Sequence, residues 1–211
     1  DWRVREALTL AFNFEFINQT LNDGLEPRIC SYFCNSVLAY SGPATGREAE
    51  LLAPYKDQLL PGTLEGYTLP VGDGSELNRP NTRKAMKLLE EAGWTVQDGV
   101  LKDASGKPFT FEILLTQGAN EAISIVDIYV EALTRLGITP KVTTVDSAQA
   151  AERAKVYDFD MAWYTRALSL SPGNEQMLYW GSAGVTEPGT RNWMGMASPA
   201  GWALRDRFRS S

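Results

Sequence analysis

The residues best equipped for recognition in this chain cluster in one stretch: Trp163, Tyr164 and Arg166, followed by Asn174 and Glu175. An indole or phenol face can stack on a ligand group, and a guanidinium can hold a carboxylate through two parallel N–H···O bonds. The competing roles are packing for Trp163 and simple solvation for Arg166. Gln176, Arg191, Asn192 and Trp193 are further candidates to line a cleft, each with a surface or capping role to weigh against ligand contact.

Catalytic chemistry is poorly provisioned. The sequence contains no histidine, which removes Ser-His-Asp and Cys-His arrangements, imidazole-dependent zinc sites and the usual proton shuttle near neutral pH. Asp158 and Asp160 stand two apart, whereas the acids of a glycosidase need a set separation across a bound sugar and usually come from different elements; a solvated pair or a loop cap is expected. Cys30 and Cys34 are the only cysteines. On a helix they would share one face without guaranteed disulfide geometry, so inert packing thiols are expected in preference to a bridge, and two thiols alone leave a metal half-ligated. Gly72-x-Gly74 lacks the third glycine and the strand-to-helix context of a dinucleotide fingerprint. No catalytic residue, metal site or cofactor is expected. A net charge of −6 over 211 residues gives no electrostatic footprint for nucleic acid.

Hydrophobic content of 44% supports a folded α/β body. Apolar positions from Val4 through Ala11 and on to Leu21 recur at three and four, predicting one amphipathic helix stopped by Asn22-Asp23-Gly24. Residues 25–80 are rich in Pro and Gly and read as an ordered but irregular excursion, with aromatic residues such as Tyr32 and Tyr67 giving it surface to bury. Asn81 is a good cap for a helix ending at Gly93, and Asp98-Gly99 predicts a hairpin. Alternating Phe109, Phe111, Ile113 and Leu115 predict a strand. A helix over 119–136, a strand over 138–145, a helix capped by Asp146 and a strand over 159–164 follow. This β-α-β-α-β order requires parallel strands, and ligands in such sheets collect beyond the strands' carboxyl ends, at residues 116–118 and 165–173. Ser171-Pro172 and Ser198-Pro199 predict two more helix starts. No stretch approaches about 18 uninterrupted apolar residues. Both ends read as cut.

Four segments in order resemble the family 5 extracellular solute-binding proteins of ATP-driven importers. They are residues 4–13 (VREALTLAFN), where many members carry Asp in place of Asn13; residues 81–94, ending in Ala-x-x-Leu-Leu-x-x-Ala-Gly-Trp; residues 133–138 with the strand behind them; and residues 157–161 leading into 169–176. The last run, with Asn35-Ser36 to Leu52 and the residues up to Pro61, is most similar to the YejA-type branch.

The resemblance implies an α/β fold forming the second, carboxyl-terminal lobe of a two-lobed protein of the periplasmic-binding-protein-like type II kind, with a mixed sheet flanked by helices. It makes residues 1–211 a fragment of that lobe, with an amino-terminal lobe missing. It also implies capture of peptides or peptide-like ligands in the periplasm and presentation to the permease membrane subunits of an ABC importer. Oligopeptide-binding relatives place an acid for the ligand's amino group near the position held here by Ser169; the acid is absent, and Glu175 is the nearest downstream carboxylate. A non-peptide solute, oligosaccharide or opine-like, therefore stands as the alternative, with a carboxylate-based hydrolase behind it.

Overall fold

The computed structural model describes residues 1–29, 31–34, 36–39 and 41–197. The helix start expected at Ser198-Pro199 lies outside them, as do Cys30, Asn35 and Tyr40. The chain divides into two compact units: the first comprises Asp1–Arg28, Leu69–Ala150 and Phe159–Tyr164, the second Ile29–Thr68, Ala151–Asp158 and the chain from Thr165 onward.

The first unit opens with two helices, α1 (Trp2–Ala11) and α2 (Phe14–Asn22), where periodicity predicts one. Asp1 caps α1, its carboxylate accepting from the Arg3 amide at 2.9 Å. The break comes at Phe12, which is extended (φ −76, ψ 98), and at Asn13, which is 3% exposed and donates to the Ser75 carbonyl at 2.7 Å. The buried NH2 group of this side chain must find an acceptor, and the bond to Ser75 accompanies the turn of the chain. The stop after α2 falls where expected, with Asp23 in the left-handed region at φ 50.

Helix α4 (Arg79–Glu91) starts earlier than predicted; α3 belongs to the second unit and is given below. Asn81 is not its cap: it lies inside the helix, buried, and donates to the Val71 carbonyl at 3.0 Å. Asn78 holds the cap position, and Pro80 falls in the first turn, where its missing amide costs nothing. Helices α1 and α4 pack together, and Ala7 and Ala85, both 0% exposed, belong to the core they share; small side chains at such positions let helix backbones approach.

The predicted hairpin forms as β1 (Thr95–Gln97) and β2 (Val100–Lys102), with Asp98 and Gly99 both at positive φ, as a two-residue type I′ turn requires. Next come β3 (Glu112–Thr116), α5 (Asn120–Arg135), β4 (Lys141–Val145), α6 (Ser147–Lys155) and β5 (Met161–Ala162). The sheet runs β4-β3-β5 and is parallel throughout; the antiparallel pair is a separate ribbon and not part of a single mixed sheet. In the central strand Ile113, Leu114 and Leu115 are all buried, so both faces are covered. Ile113 and Leu115 share a core with Val126, Tyr129, Leu133 and Ile138.

Strand β5 is shorter than the predicted 159–164. The Asp160 carboxylate accepts from the Glu112 amide at 2.8 Å, so a side chain takes the place of strand backbone there. Beyond Ala162 the pairing ends on a long bond, Trp163 amide to Leu114 carbonyl at 3.4 Å.

In the second unit α3 (Gly46–Leu52) runs into a 3-10 turn over Ala53–Gln58. Cys34 is disulfide-bonded, which corrects the expectation of packing thiols. Residues 31–34 form a turn and not a helix, so the helical-face argument for separate thiols does not apply. Helix α7 (Glu175–Trp180) begins after the predicted Ser171-Pro172 start. The Glu175 carboxylate folds back to accept from the Gly173 amide at 2.8 and 3.0 Å, and the residues from Pro172 to Asn174 form the approach to the helix.

Candidate ligand site

In the first unit the strand order makes β3 the point of reversal: the crossover through α5 leads to β4 on one side, and the chain through α6 returns to β5 on the other. Crevices at such reversals lie beyond the strands' carboxyl ends. The loop after β3 is fixed there, with the Gln117 amide donating to the Val145 carbonyl at 2.8 Å and the Ala119 amide to the Thr116 carbonyl at 3.2 Å. Trp163 and Tyr164 leave β5 at this end, and each is 44% exposed. Met161 packs against the core. Strand alternation would put Trp163 in the same layer, but pairing has ended, and its indole stays at the surface.

Arg166 belongs to the second unit. Its guanidinium carbon lies 3.9 Å from the Tyr179 ring centroid and 5.3 Å from that of Trp180, and its Nη2 donates to the Arg191 carbonyl at 3.3 Å. Tyr32 packs edge-on against Trp180 with centroids 4.7 Å apart and donates its hydroxyl to Met194 Sδ at 3.3 Å. Burial pushes the Tyr32 hydroxyl's pKa up, and the positive charge of Arg166 pulls it back in part. Two cations, three aromatic rings and a thioether thus gather in one cluster.

The other predicted residues bond locally. The Ser169 hydroxyl accepts from the Ser171 amide at 3.0 Å. Asn174 occupies the cap position of α7 without a side-chain capping bond. Both oxygens of Glu175 serve the Gly173 amide, and Gln176 donates to one of them at 3.1 Å; these bonds, the Gly173 amide foremost, hold the carboxyl below its ordinary pKa. Gln176 also accepts from the Trp180 indole at 2.9 Å. Asn192 is 1% exposed and bonds the Gly181 and Met196 backbone, a structural role.

Sequence reasoning missed Tyr179 and Tyr32 as members of this cluster. Tyr179 is the buried residue of α7, while Met177 and Leu178 are exposed. A helix of under two turns carries no periodicity to reveal which face is covered. The two aspartates read as a cap or solvated pair serve different partners: Asp158 pairs with Arg153 at 2.8 Å, and Asp160 caps the Glu112 amide.

The family model described as bacterial extracellular solute-binding proteins, family 5 Middle, matches residues 1–187. The protein y4wM of Sinorhizobium fredii is 39% identical over 209 residues, covering 98% of this chain and 31% of that protein. "Probable peptide-binding protein YejA" of Agrobacterium fabrum is 38% identical over 204 residues, covering 96% of this chain and 33% of that protein. The oligopeptide-binding protein AppA of Bacillus subtilis, solved with a nonapeptide, superposes with a TM-score of 0.63 at 22% identity, covering 100% of this chain and 39% of that one. The chain therefore has the α/β fold of these binding proteins, the type II kind expected from its sequence, and it spans about a third of the length of the curated relatives it matches.

Proposed function

The chain belongs to the family 5 bacterial extracellular solute-binding proteins, and from that premise we propose that its intact parent captures peptides or peptide-like solutes in the periplasm and presents them to the membrane permease of an ABC importer. In this reading residues 1–211 are part of the carboxyl-terminal lobe of a two-lobed protein, and the other lobe comes from sequence outside this chain. The observation that carries the ligand class is the similarity to the Agrobacterium protein named for peptide binding, which extends over 96% of this chain.

The local chemistry supports a binder. Trp163 and Tyr164 offer exposed ring faces for stacking at the end of β5, and Arg166 supplies a guanidinium among aromatic rings. Ser169, Asn174 and Glu175 supply polar groups on the approach to α7. Glu175 is a poor anchor for a ligand amine while its oxygens serve Gly173, so the solute's amino group is held elsewhere or is not the recognised feature. Asp158 and Asp160 serve separate structural partners, which speaks against a carboxylate hydrolase and for a protein that performs no covalent chemistry on its solute.

The test is to purify the full-length protein without added ligand and identify by mass spectrometry what remains bound. Recovered peptides or peptide conjugates are expected. A protein that is recovered empty, is stabilised by oligosaccharides and ignores peptide mixtures would overturn the peptide reading in favour of another solute.

A further inference from the structure

Tyr32 joins the irregular excursion to the end of α7, within one compact unit but across a long stretch of sequence. Its ring meets that of Trp180 edge-on with centroids 4.7 Å apart, and its hydroxyl donates to Met194 Sδ at 3.3 Å. Both partners are anchored by bonds of their own. The Trp180 indole donates to Gln176 at 2.9 Å. The turn that carries Met194 is closed by the Gly195 amide to the Asn192 carbonyl at 3.0 Å and by the Met196 amide to Asn192 Oδ1 at 2.9 Å.

The hydrogen bonds that shape the Tyr32 turn are local: Cys34 amide to Ser31 carbonyl at 3.3 Å, Ser31 amide to Cys34 Sγ at 3.2 Å and Ser36 hydroxyl to Phe33 carbonyl at 2.8 Å. No helix or strand includes residues 31–34. The strongest constraint on this turn is covalent, since Cys34 is disulfide-bonded. Ser31, Tyr32 and Phe33 separate it from Cys30, the only other cysteine in the chain. A ring closed across so few residues leaves the Tyr32 backbone little freedom to lose when its side chain seats on Trp180. Opened, the same turn would have to be ordered by one ring pair and one long bond to sulfur, against the conformational entropy of several residues. Cys34 is half-buried, and its neighbours Tyr32 and Val37 are 56% and 99% exposed, so a small thiol can reach the bond.

We propose that Cys34 pairs with Cys30 in a redox-sensitive clasp, which when closed seats Tyr32 on Trp180 and Met194 and when reduced releases it. A dithiol opens the clasp by thiol–disulfide exchange: the S–S bond breaks, the two sulfurs of the reductant close into a disulfide, and the two electrons and two protons it gives up leave one thiol on each cysteine. The device is a property of the chain itself and stands whatever solute the parent protein carries.

The test uses the full-length protein. Without reductant, the tryptic peptide over residues 29–47, which holds both cysteines, is expected to be lighter than its dithiol form by two hydrogens and closed to iodoacetamide. Free thiols in that peptide, or a bond between two copies of the protein, overturn the proposal. Release of Tyr32 is then read by nitration with tetranitromethane, followed residue by residue in the mass spectrometer. Three forms are compared: the oxidised protein, the protein reduced with dithiothreitol and alkylated, and the double variant Cys30→Ser, Cys34→Ser, which has no thiol at either position to consume the reagent. Tyr32 is expected to react about fivefold faster in both opened forms, the factor to which a ring pair of ordinary strength corresponds, while Tyr129, which is 5% exposed, stays protected in all three. Equal rates at Tyr32 in the oxidised and opened forms overturn the clasp. Tyr129 reacting in both opened forms also overturns it, because the bond would then be a staple of the whole fold and not a local device. In the oxidised protein Trp180→Leu removes the seat while leaving the bond intact, and it too is expected to speed nitration of Tyr32; an unchanged rate there overturns the role given to Trp180.

Discussion

The guanidinium carbon of Arg166 stands 3.9 Å from the centroid of the Tyr179 ring, and Tyr179 is only 7% exposed. A cation over a largely desolvated ring stabilises by about 1–2 kcal/mol. Replacing Arg166 by alanine also removes the bond to the Arg191 carbonyl. Arg166→Ala is therefore expected to lose about 2 kcal/mol of stability, read from the urea midpoint. In the full-length protein it should weaken carboxylate-bearing ligands by roughly tenfold. Unchanged affinity would remove Arg166 from the site.

Gly137 joins the end of α5 to the hairpin. Its φ is +80, its carbonyl accepts from the Leu101 amide at 2.8 Å, and a Cβ built on it would stand 2.7 Å from that same nitrogen. Gly137→Ala thus meets both a left-handed backbone and a backbone clash. We expect a loss of at least about 2 kcal/mol by chemical denaturation. A loss below half of that would mean the hairpin shifts freely on the helix end.

The elements legible in the sequence are those whose determinants are local. Asp98-Gly99 specifies its own turn, and Asp146 caps α6 through the Gln149 amide at 2.9 Å. The alternation of helix and strand fixed the parallel sheet. The misses depend on partners remote in the chain. Asn13 breaks the first helix because of a carbonyl at Ser75, and Asn81 is recruited into α4 by Val71. At the candidate site the type of Arg166 was legible, but its stacking partner was not, because Tyr179 is chosen by which face of a short helix is covered. The surface position of Trp163 likewise follows from where β5 stops pairing, and alternation alone carries no information on that.

Tyr129 ties α5 to α1 by donating its hydroxyl to the Leu8 carbonyl at 2.9 Å. Burial pushes its pKa well above the ordinary tyrosine range. Above about pH 10 the unfolded chain releases this proton while the folded chain keeps it, so stability falls as pH rises beyond that point. Tyr129→Phe removes this dependence and costs about 1 kcal/mol at neutral pH by leaving the Leu8 carbonyl unpaired. In a spectrophotometric titration of the folded wild type, one of its eight tyrosines should resist ionisation until unfolding. Identical titration curves for wild type and Tyr129→Phe, scaled to tyrosine count, would refute this.

Asp103, half-buried, organises the turn after β2. Its Oδ1 accepts from the Ser105 hydroxyl at 2.6 Å, the Ser105 amide at 2.8 Å and the Lys107 amide at 3.0 Å. These bonds, the Ser105 hydroxyl foremost, lower its pKa below the unfolded value of 3.8. For a lowered acid the stabilisation is fully present above the unfolded pKa and is lost as pH falls through the folded one. Asp103→Asn keeps an acceptor oxygen but not the charge, so it should be less stable than wild type near pH 7, with the gap closing toward about pH 2. Urea denaturation of both proteins at the two pH values measures the gap. An equal difference at both would mean that the turn depends on the geometry of the acceptor, and that its charge contributes nothing.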